Sequence, residues 1–227
     1  MSSVLVGTGI QRAVRFYDST IGKKAVMAVT GLILFGYLVV HMLGNLQFFI
    51  GKETMDHYAE MLHGNPALLW TARTVLLVSV VLHIWAWIQL AALKREARPV
   101  GYVKRANVQA SLGSRTMWLS GPIIAAFVIF HLLHLTTGTI HPHFVELHPF
   151  ENLVTGFLVV PFALIYIAAM VFIGFHLSHG IWSMFQSMGL SHPRYTPAIK
   201  KFASIFSWIL TAGFISVPLA VLTGLVR

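Results

Sequence analysis

Five long apolar stretches constrain the fold of this chain more than any other feature of its sequence. The hydrocarbon core of a bilayer is about 30 Å thick, and a helix crosses it in about 20 apolar residues. The stretches that reach this length are residues 25–50, 67–93, 116–140, 152–190 and 202–226. Only the second contains a charged residue, Arg73. We therefore predict an all-α polytopic membrane protein with five transmembrane helices in a single domain, residues 1–227.

The fourth stretch, residues 152–190, is too long for a perpendicular span, so we expect it to tilt, to kink near Pro161 or to extend past the membrane. Composition agrees with a lipid environment, because only 10% of the residues are charged, whereas a soluble domain has about 25%. The chain contains no cysteine. That absence excludes disulfides, a thiolate nucleophile, an iron–sulfur cluster and covalently attached c-type haem.

Positive charge is concentrated on one side of the predicted membrane. Segments 1–24, 94–115 and 191–201 fall on the same side of a five-span protein and hold thirteen Lys and Arg against two acids. The other side has three bases and five acids. The positive-inside rule places the N-terminus in the cytoplasm and the C-terminus outside. This asymmetry accounts for most of the net charge of +9, so no nucleic-acid partner is expected. The same basic loops also suit an acidic partner or anionic lipid.

Histidine is the unusual residue of so apolar a chain, which has twelve. Ionisable side chains at membrane depth are costly and usually functional. Each of the first four predicted spans carries a deep histidine, and the fifth carries none. At about 1.5 Å of rise per residue, His41 and His131 lie at an outer level, and His83 and His176 lie at an inner level.

Two histidines that face each other across a bundle suit a metal with two open axial positions, as in haem. Zinc requires a third or fourth ligand, and the deep parts of the spans offer no Cys, Asp or Glu. Two haems at two levels would conduct electrons across the bilayer. An alternative from another class is a transporter that uses the histidines as a relay for metal ions or protons.

Two spans repeat a histidine after three residues, in His131-Leu-Leu-His134 and His176-Leu-Ser-His179. Positions three apart lie on neighbouring faces of a helix, so the spacing does not decide which histidine is the ligand. The other one is available to a haem propionate, a carbonyl or a quinone.

Several motifs, taken together, resemble a known family. The resemblance extends from about residue 15 to about residue 210 and is to the five-span, di-haem cytochrome b anchor of succinate dehydrogenases and fumarate reductases. The motifs are Ser19-Thr-Ile-Gly-Lys-Lys-Ala-Val-Met-Ala-Val-Thr-Gly31, His41-Met-Leu-Gly-Asn45, Leu82-His83-Ile-Trp, Ile129-Phe-His131-Leu-Leu-His, Gly174-Phe-His176-Leu-Ser-His-Gly180-Ile-Trp-Ser and His192-Pro-Arg-Tyr-Thr-Pro.

The resemblance implies two b haems, with the outer one held by the first and third spans and the inner one by the second and fourth. It favours the first histidine of each repeat, so the implied ligands are His41, His131, His83 and His176. It also implies a bacterial cytoplasmic membrane and a cytoplasmic flavoprotein and iron–sulfur subunit, which exchange electrons with menaquinone or another quinone. A higher oligomer of the assembled complex is also compatible with the resemblance. The runner-up is the cytochrome b anchor of another quinone-linked enzyme, such as a hydrogenase or formate dehydrogenase.

In similar proteins the quinone site lies near the outer haem, with an acid at the mouth of the second span. Here Glu60 is the candidate for proton exchange with the quinone, as a semi-buried carboxylate, and His57 and His63 are candidate helpers. A solvated amphipathic turn is the alternative for this segment. Arg73 is a candidate to hold a haem propionate, or it reaches the outer interface as a snorkelling side chain. The four other histidines, which have no assigned role, are His141, His143, His148 and His192.

Overall fold

The structure is a computed structural model that describes residues 9–100 and 110–226. This part of the chain contains eight α-helices and one 3-10 turn, Gln47–Phe49, and no strand. The helices are α1 Gly9–Asp18, α2 Thr20–Leu46, α3 Lys52–His63, α4 Pro66–Glu96, α5 Leu112–Leu135, α6 Pro149–Leu158, α7 Val160–Ser187 and α8 Thr196–Leu222.

Five of these helices are long and apolar enough to cross a membrane, which confirms the predicted all-α polytopic architecture. They are α2 with the 3-10 turn, α4, α5, α7 and α8, and their most apolar windows have a mean hydropathy of 1.8 to 2.2. The remaining helices, α1, α3 and α6, are 10 to 12 residues long and therefore too short to span a bilayer.

The starts of three spanning helices are fixed by side-chain caps. Ser19 accepts a hydrogen bond from the backbone N–H of Gly22 at the start of α2. Asn65 caps α4 and Ser111 caps α5 in the same way. Each cap satisfies a backbone donor that the first helical turn leaves without an intrahelical partner.

The third span ends earlier than residue 140, where the prediction placed its end. Helix α5 ends at Leu135, because the chain turns back on itself there. Gly138 adopts a φ of +69°, a left-handed conformation that favours glycine. The backbone N–H of Ile140 donates to the carbonyl of Leu133 across the turn. Residues 136–140 therefore form a loop.

The stretch 152–190 is not one continuous span, and the expected kink near Pro161 takes the form of a complete helix break. Helix α6 ends at Leu158, and α7 starts at Val160 after an extended residue, Val159. Pro161 lies in the first turn of α7. Its missing N–H has no cost at that position, but a proline prevents a continuous helix from running through residue 161. The spanning part is α7 alone, and it ends at Ser187.

Helices α2 and α7 form the centre of the bundle, and α8 packs on both. Helix α4 packs mainly on α2, and α5 packs mainly on α7, whereas α4 and α5 do not pack extensively on each other within the described residues. Ser79 and Ala86 are the buried residues of α4, four before and three after His83, so they share its face. The four histidine-bearing spans are thus joined through α2 and α7, and side chains of α4 and α5 reach inward.

Helices α3 and α6 lie against each other on the side opposite the basic loops. Lys52 Nζ lies 3.2 Å from Glu151 Oε2, and Asp56 Oδ1 accepts a hydrogen bond from the backbone N–H of Phe150 at 3.2 Å. Two of the five acids on this side therefore connect the two short helices.

Candidate functional site

The structure brings His41 of α2 next to His131 of α5. Their ring centres are 5.8 Å apart and the ring planes are close to perpendicular, at 79°. Tyr37 stacks on His41 at 5.2 Å, and Phe214 of α8 lies 5.8 Å from the same ring. We call these two histidines the outer pair, after the level that the sequence predicts for them.

His83 of α4 and His176 of α7 form a second pair, which we call the inner pair. Their ring centres are 6.4 Å apart, with an angle of 54° between the planes. The rings that the depth count places at one level are therefore the rings that approach each other in space.

The two pairs are separated by the same distance along two different helices. On α2, Thr30 lies beside His83, and His41 follows eleven residues later. On α5, Ser120 lies beside His176, and His131 also follows eleven residues later. Eleven residues correspond to about 16 Å of helix. The two pairs therefore lie at two distinct depths of the bundle.

All four rings share one feature that the sequence did not predict, because each presents Nδ1 to a hydroxyl group. The distances are 3.5 Å from Tyr37 to His41, 3.1 Å from Thr30 to His83, 3.2 Å from Tyr166 to His131 and 3.2 Å from Ser120 to His176. Within the described residues, the hydrogen bonds of His41, His131 and His176 involve Nδ1 and not Nε2, and His83 also interacts with the backbone of Met27. Nε2 is therefore the nitrogen left available for a ligand.

Thr30 favours one tautomer of the His83 ring. Its hydroxyl has a single proton and lies 2.7 Å from the carbonyl oxygen of Val26 and 3.2 Å from that of Met27, both in its own helix. When that proton goes to one of these carbonyls, the Thr30 oxygen accepts from His83, and His83 carries its proton on Nδ1. A neutral imidazole protonated at Nδ1 has its lone pair on Nε2, which is the form that a metal requires.

The spacing of both pairs fits a metal bound between two axial nitrogens. A metal–nitrogen bond to an imidazole is about 2 Å long, and the ring centre lies about 1 Å beyond the nitrogen. Two imidazoles on opposite sides of one metal therefore have ring centres about 6 Å apart. The observed 5.8 and 6.4 Å match that spacing. Within the described residues there is no group of three or more His, Cys, Asp or Glu that could hold a metal. Each pair therefore offers two nitrogen donors, fewer than the three or four ligands that a zinc site uses.

Glycines leave open space on three of the helices that carry these pairs. A side-chain carbon added at Gly36, Gly121 or Gly180 would meet no atom within 4 Å. At Gly31 the nearest atom is Cε1 of His83, at 3.4 Å. Gly174, by contrast, is required for packing, because a side-chain carbon there would lie 2.6 Å from Thr211 of α8. Some of these glycines therefore adjoin open space, whereas Gly174 is required for close packing.

His134 and His179, the second histidines of the two repeats, do not belong to either pair. His134 is fully buried, its Nδ1 lies 3.0 Å from the Tyr166 hydroxyl, and its ring stacks on His141 at 4.9 Å. Its hydrogen-bond connection to the outer pair runs through Tyr166. His179 lies with its ring 5.3 Å from Trp182, and its Nδ1 is buried without a hydrogen bond in the described structure.

The predicted quinone segment forms α3, and its candidate residues lie at the surface. Glu60 is not semi-buried as expected, because its side chain is 62% exposed, and its carboxylate lies 3.8 Å from Nδ1 of His57. His63 is also exposed, and its Nδ1 lies 2.8 Å from the carbonyl oxygen of Ala59. These side chains point away from the packed face of α3, where Met55 is buried.

A cavity of about 490 Å³ adjoins α3. It is lined by Gln47, Glu53, Thr54, His57, Tyr58 and Met61. Of the residues predicted for the quinone site, this lining includes His57. The acidic residue in the lining is Glu53 and not the predicted Glu60. Tyr58 is the lining residue nearest the bundle, because its ring lies 3.2 Å from the position of a side-chain carbon at Gly44 of α2. Sequence reasoning missed Glu53 and Tyr58, since only helical phase distinguishes them from their neighbours.

Arg73 lies on the exposed surface of α4. Its guanidinium carbon is 5.1 Å from the ring centre of Trp70, a cation–π contact. Arg73 and Tyr58 both lie close enough to Tyr37 to interact with it electrostatically. The arginine therefore lies on the same side of the bundle as the outer pair.

No protein-family model, no curated protein and no solved structure matches this chain. The interpretation of the site therefore rests on its own residues and their geometry.

Proposed function

We propose that this chain is the membrane anchor and di-haem electron-transfer subunit of a succinate:quinone oxidoreductase, a succinate dehydrogenase or fumarate reductase. One observation carries the proposal: two histidine pairs at two depths, each with ring centres about 6 Å apart and each ring bonded to a hydroxyl through Nδ1. That arrangement would leave Nε2 of each ring available to hold a metal, and the family resemblance of the motifs points to the same four histidines.

Under this proposal His41 and His131 hold the outer haem iron, and His83 and His176 hold the inner one. The two haems, when bound, supply one-electron carriers at two depths of the membrane. The protein holds the ligand rings in place through hydroxyl groups, and it excludes water with the apolar spans. Helices α2 and α7 join the two levels, because each of them carries one ligand and packs on the helix that carries another.

The dicarboxylate chemistry belongs to partners in this proposal. A flavoprotein and an iron–sulfur subunit would bind on the cytoplasmic face of a bacterial inner membrane, where the thirteen bases support both the docking and the orientation, with the N-terminus cytoplasmic and the C-terminus outside. The lack of cysteine in this chain is consistent with that division, since an iron–sulfur cluster requires Cys ligands from another subunit.

The quinone, which we propose to be menaquinone, would bind near the outer pair. The cavity beside α3 supports this position, because it combines apolar lining with the polar groups of Glu53, His57 and Tyr58. Glu60, three residues after His57, is exposed and available to exchange protons with solvent. Arg73 and His63 lie on the same side of the bundle as this cavity, and both are exposed.

Purification of the protein from membranes in mild detergent tests the proposal. We expect two b haems per chain in a pyridine haemochrome assay, together with co-purifying flavoprotein and iron–sulfur chains. Replacement of any one of the four paired histidines by Ala should remove one haem. His192→Ala is the matched control, since His192 is exposed in the α7–α8 loop and its loss should leave both haems. A holoprotein without haem contradicts the proposal, and co-purification with hydrogenase subunits replaces the succinate assignment.

A further inference from the structure

Tyr166 differs from the other three hydroxyl residues because it contacts two histidines. Its oxygen lies 3.2 Å from Nδ1 of His131 and 3.0 Å from Nδ1 of His134. The residue is only 6% exposed, and the rings of Phe127 and Phe157 pack on it at 5.0 and 4.9 Å. The hydroxyl is therefore held in a fixed place between two rings, in an interior without water access.

A tyrosine hydroxyl has a single proton, so it donates to one of these rings and accepts from the other. If His131 binds a metal through Nε2, its proton must be on Nδ1, and His131 donates to Tyr166. The Tyr166 proton then goes to Nδ1 of His134. His134 must in turn carry its own proton on Nε2. This order of protons is compatible with a ligand role for His131 and also gives the Tyr166 proton an acceptor.

His134 shows the expected consequence of that order. Its Nε2 is buried and has no hydrogen-bond partner in the described structure. The stacked ring of His141 offers none, because its Nε2 pairs with the carbonyl of Asn152 at 2.8 Å and its Nδ1 accepts from the backbone N–H of His143. A buried polar atom without a partner is destabilising and requires an explanation. The constraint that Tyr166 imposes on Nδ1 of His134 supplies one.

We propose that Tyr166 is a positioning residue of the outer pair, which accepts a hydrogen bond from His131 and donates one to His134, so that His134 acts on the ligand only through Tyr166. This inference rests on the proposed function. It assigns His134 a different task from contact with a haem propionate or a quinone, since the ring is fully buried and its Nδ1 faces the Tyr166 hydroxyl.

The reduction potential of the haems in the purified holoprotein tests this role. An acceptor on Nδ1–H makes an imidazole a stronger electron donor and favours oxidised iron. Tyr166→Phe should therefore raise the midpoint potential of one haem and leave the other unchanged, with two haems still bound. Tyr37→Phe is the matched control, because the Tyr37 hydroxyl is 3.5 Å from His41 and the residue is 41% exposed, against 6% for Tyr166. It should give a smaller shift of the same haem.

His134→Leu provides the second measurement and applies even where Tyr166→Phe does not fold. It removes the acceptor of the Tyr166 proton and should raise the same potential by less than Tyr166→Phe does, since hydrogen bonds in a chain strengthen each other. In the double variant, His134→Leu should add no further shift. Unchanged potentials in both single variants, or additive shifts in the double variant, overturn the positioning role. If wild-type protein binds two haems, the proposed function stands whatever the potentials of the variants are. Wild-type protein without haem overturns the proposed function itself.

Discussion

The two histidine pairs share a spacing but differ in what supports them. The inner pair is held by small aliphatic hydroxyls, Thr30 and Ser120, each from a neighbouring spanning helix. The outer pair contacts phenol hydroxyls, Tyr37 and Tyr166, and one of these continues to another buried histidine. The Thr30 hydroxyl also contacts carbonyls of its own helix, which suits it to accept from His83. The Tyr166 phenol is shared between two rings, which makes the outer level depend on a longer chain of contacts.

The difference implies that changes near one level leave the other intact. The two levels are about 16 Å apart along α2 and α5, and no contact between rings of one pair and rings of the other occurs in the described structure. Variants that act on one level only therefore test whether the two pairs are independent sites.

The largest effect is expected from a steric block of the inner pair. Gly31→Leu places a bulky side chain where Cε1 of His83 lies 3.4 Å from the first added carbon. We expect the loss of one of the two haems from purified protein, because His83 can no longer face His176. The pyridine haemochrome assay measures the ratio of haem to chain.

Val29→Leu is the control for this variant, since it places the same leucine side chain at a position of the same helix that is 52% exposed. It should retain two haems. Retention of both haems in Gly31→Leu would show that His83 and His176 do not hold a group between them.

An intermediate effect is expected behind the outer pair, at Gly156 of α6. A side-chain carbon there would lie 2.9 Å from Nε2 of both His134 and His141. Overpacking of this kind costs about 1–3 kcal/mol, while Ala gains about 0.5–1 kcal/mol over Gly within a helix. Gly156→Ala should therefore lower the apparent Tm in a thermal unfolding scan.

The same variant should move the potential of the outer haem and not that of the inner one, since His134 is displaced against Tyr166. Thr155→Ala, at the neighbouring position of α6, should change neither potential. A shift of the inner haem in Gly156→Ala would contradict the independence of the two levels.

The smallest effect is expected at Thr30. Thr30→Val keeps the shape of the side chain but removes the oxygen that accepts from His83 at 3.1 Å. The inner haem should remain bound, and its midpoint potential should rise, since Nδ1–H of its ligand loses an acceptor. Thr30→Ser retains the hydroxyl and should restore the wild-type value in a potentiometric titration. Equal midpoint potentials in Thr30→Val and Thr30→Ser would contradict the role of the Thr30 hydroxyl as an acceptor for His83.

The sequence was sufficient for the spanning helices and for the levels of the histidines, because both depend only on distance along a helix. All of residues 67–93, and residues 25–50 except the last, fall within spanning segments of the structure, and the rings at equal depth approach each other. The end of the third span was wrong by five residues because no charged residue interrupts Thr136 to Ile140, while the turn at Gly138 follows the end of the helix.

The hydroxyl partners were not predictable, because they depend on the rotation of each helix about its axis. Thr30 and His83 are 53 residues apart in sequence, and Ser120 and His176 are 56 apart. The exposure of Glu60 has the same origin, since the phase of α3 buries Met55 and turns Glu60 toward solvent. A short helix with charges on several positions does not reveal that phase in its sequence.

Paired double variants test whether the four histidines form two sites with the proposed partners. In holoprotein purified from membranes, His41→Ala combined with His131→Ala removes both ligands of one site, and we expect one haem per chain to remain. His41→Ala combined with His83→Ala removes one ligand from each site, and we expect no haem to remain. The opposite result, in which the first double variant loses both haems or the second retains one, contradicts the pairing of His41 with His131 and of His83 with His176.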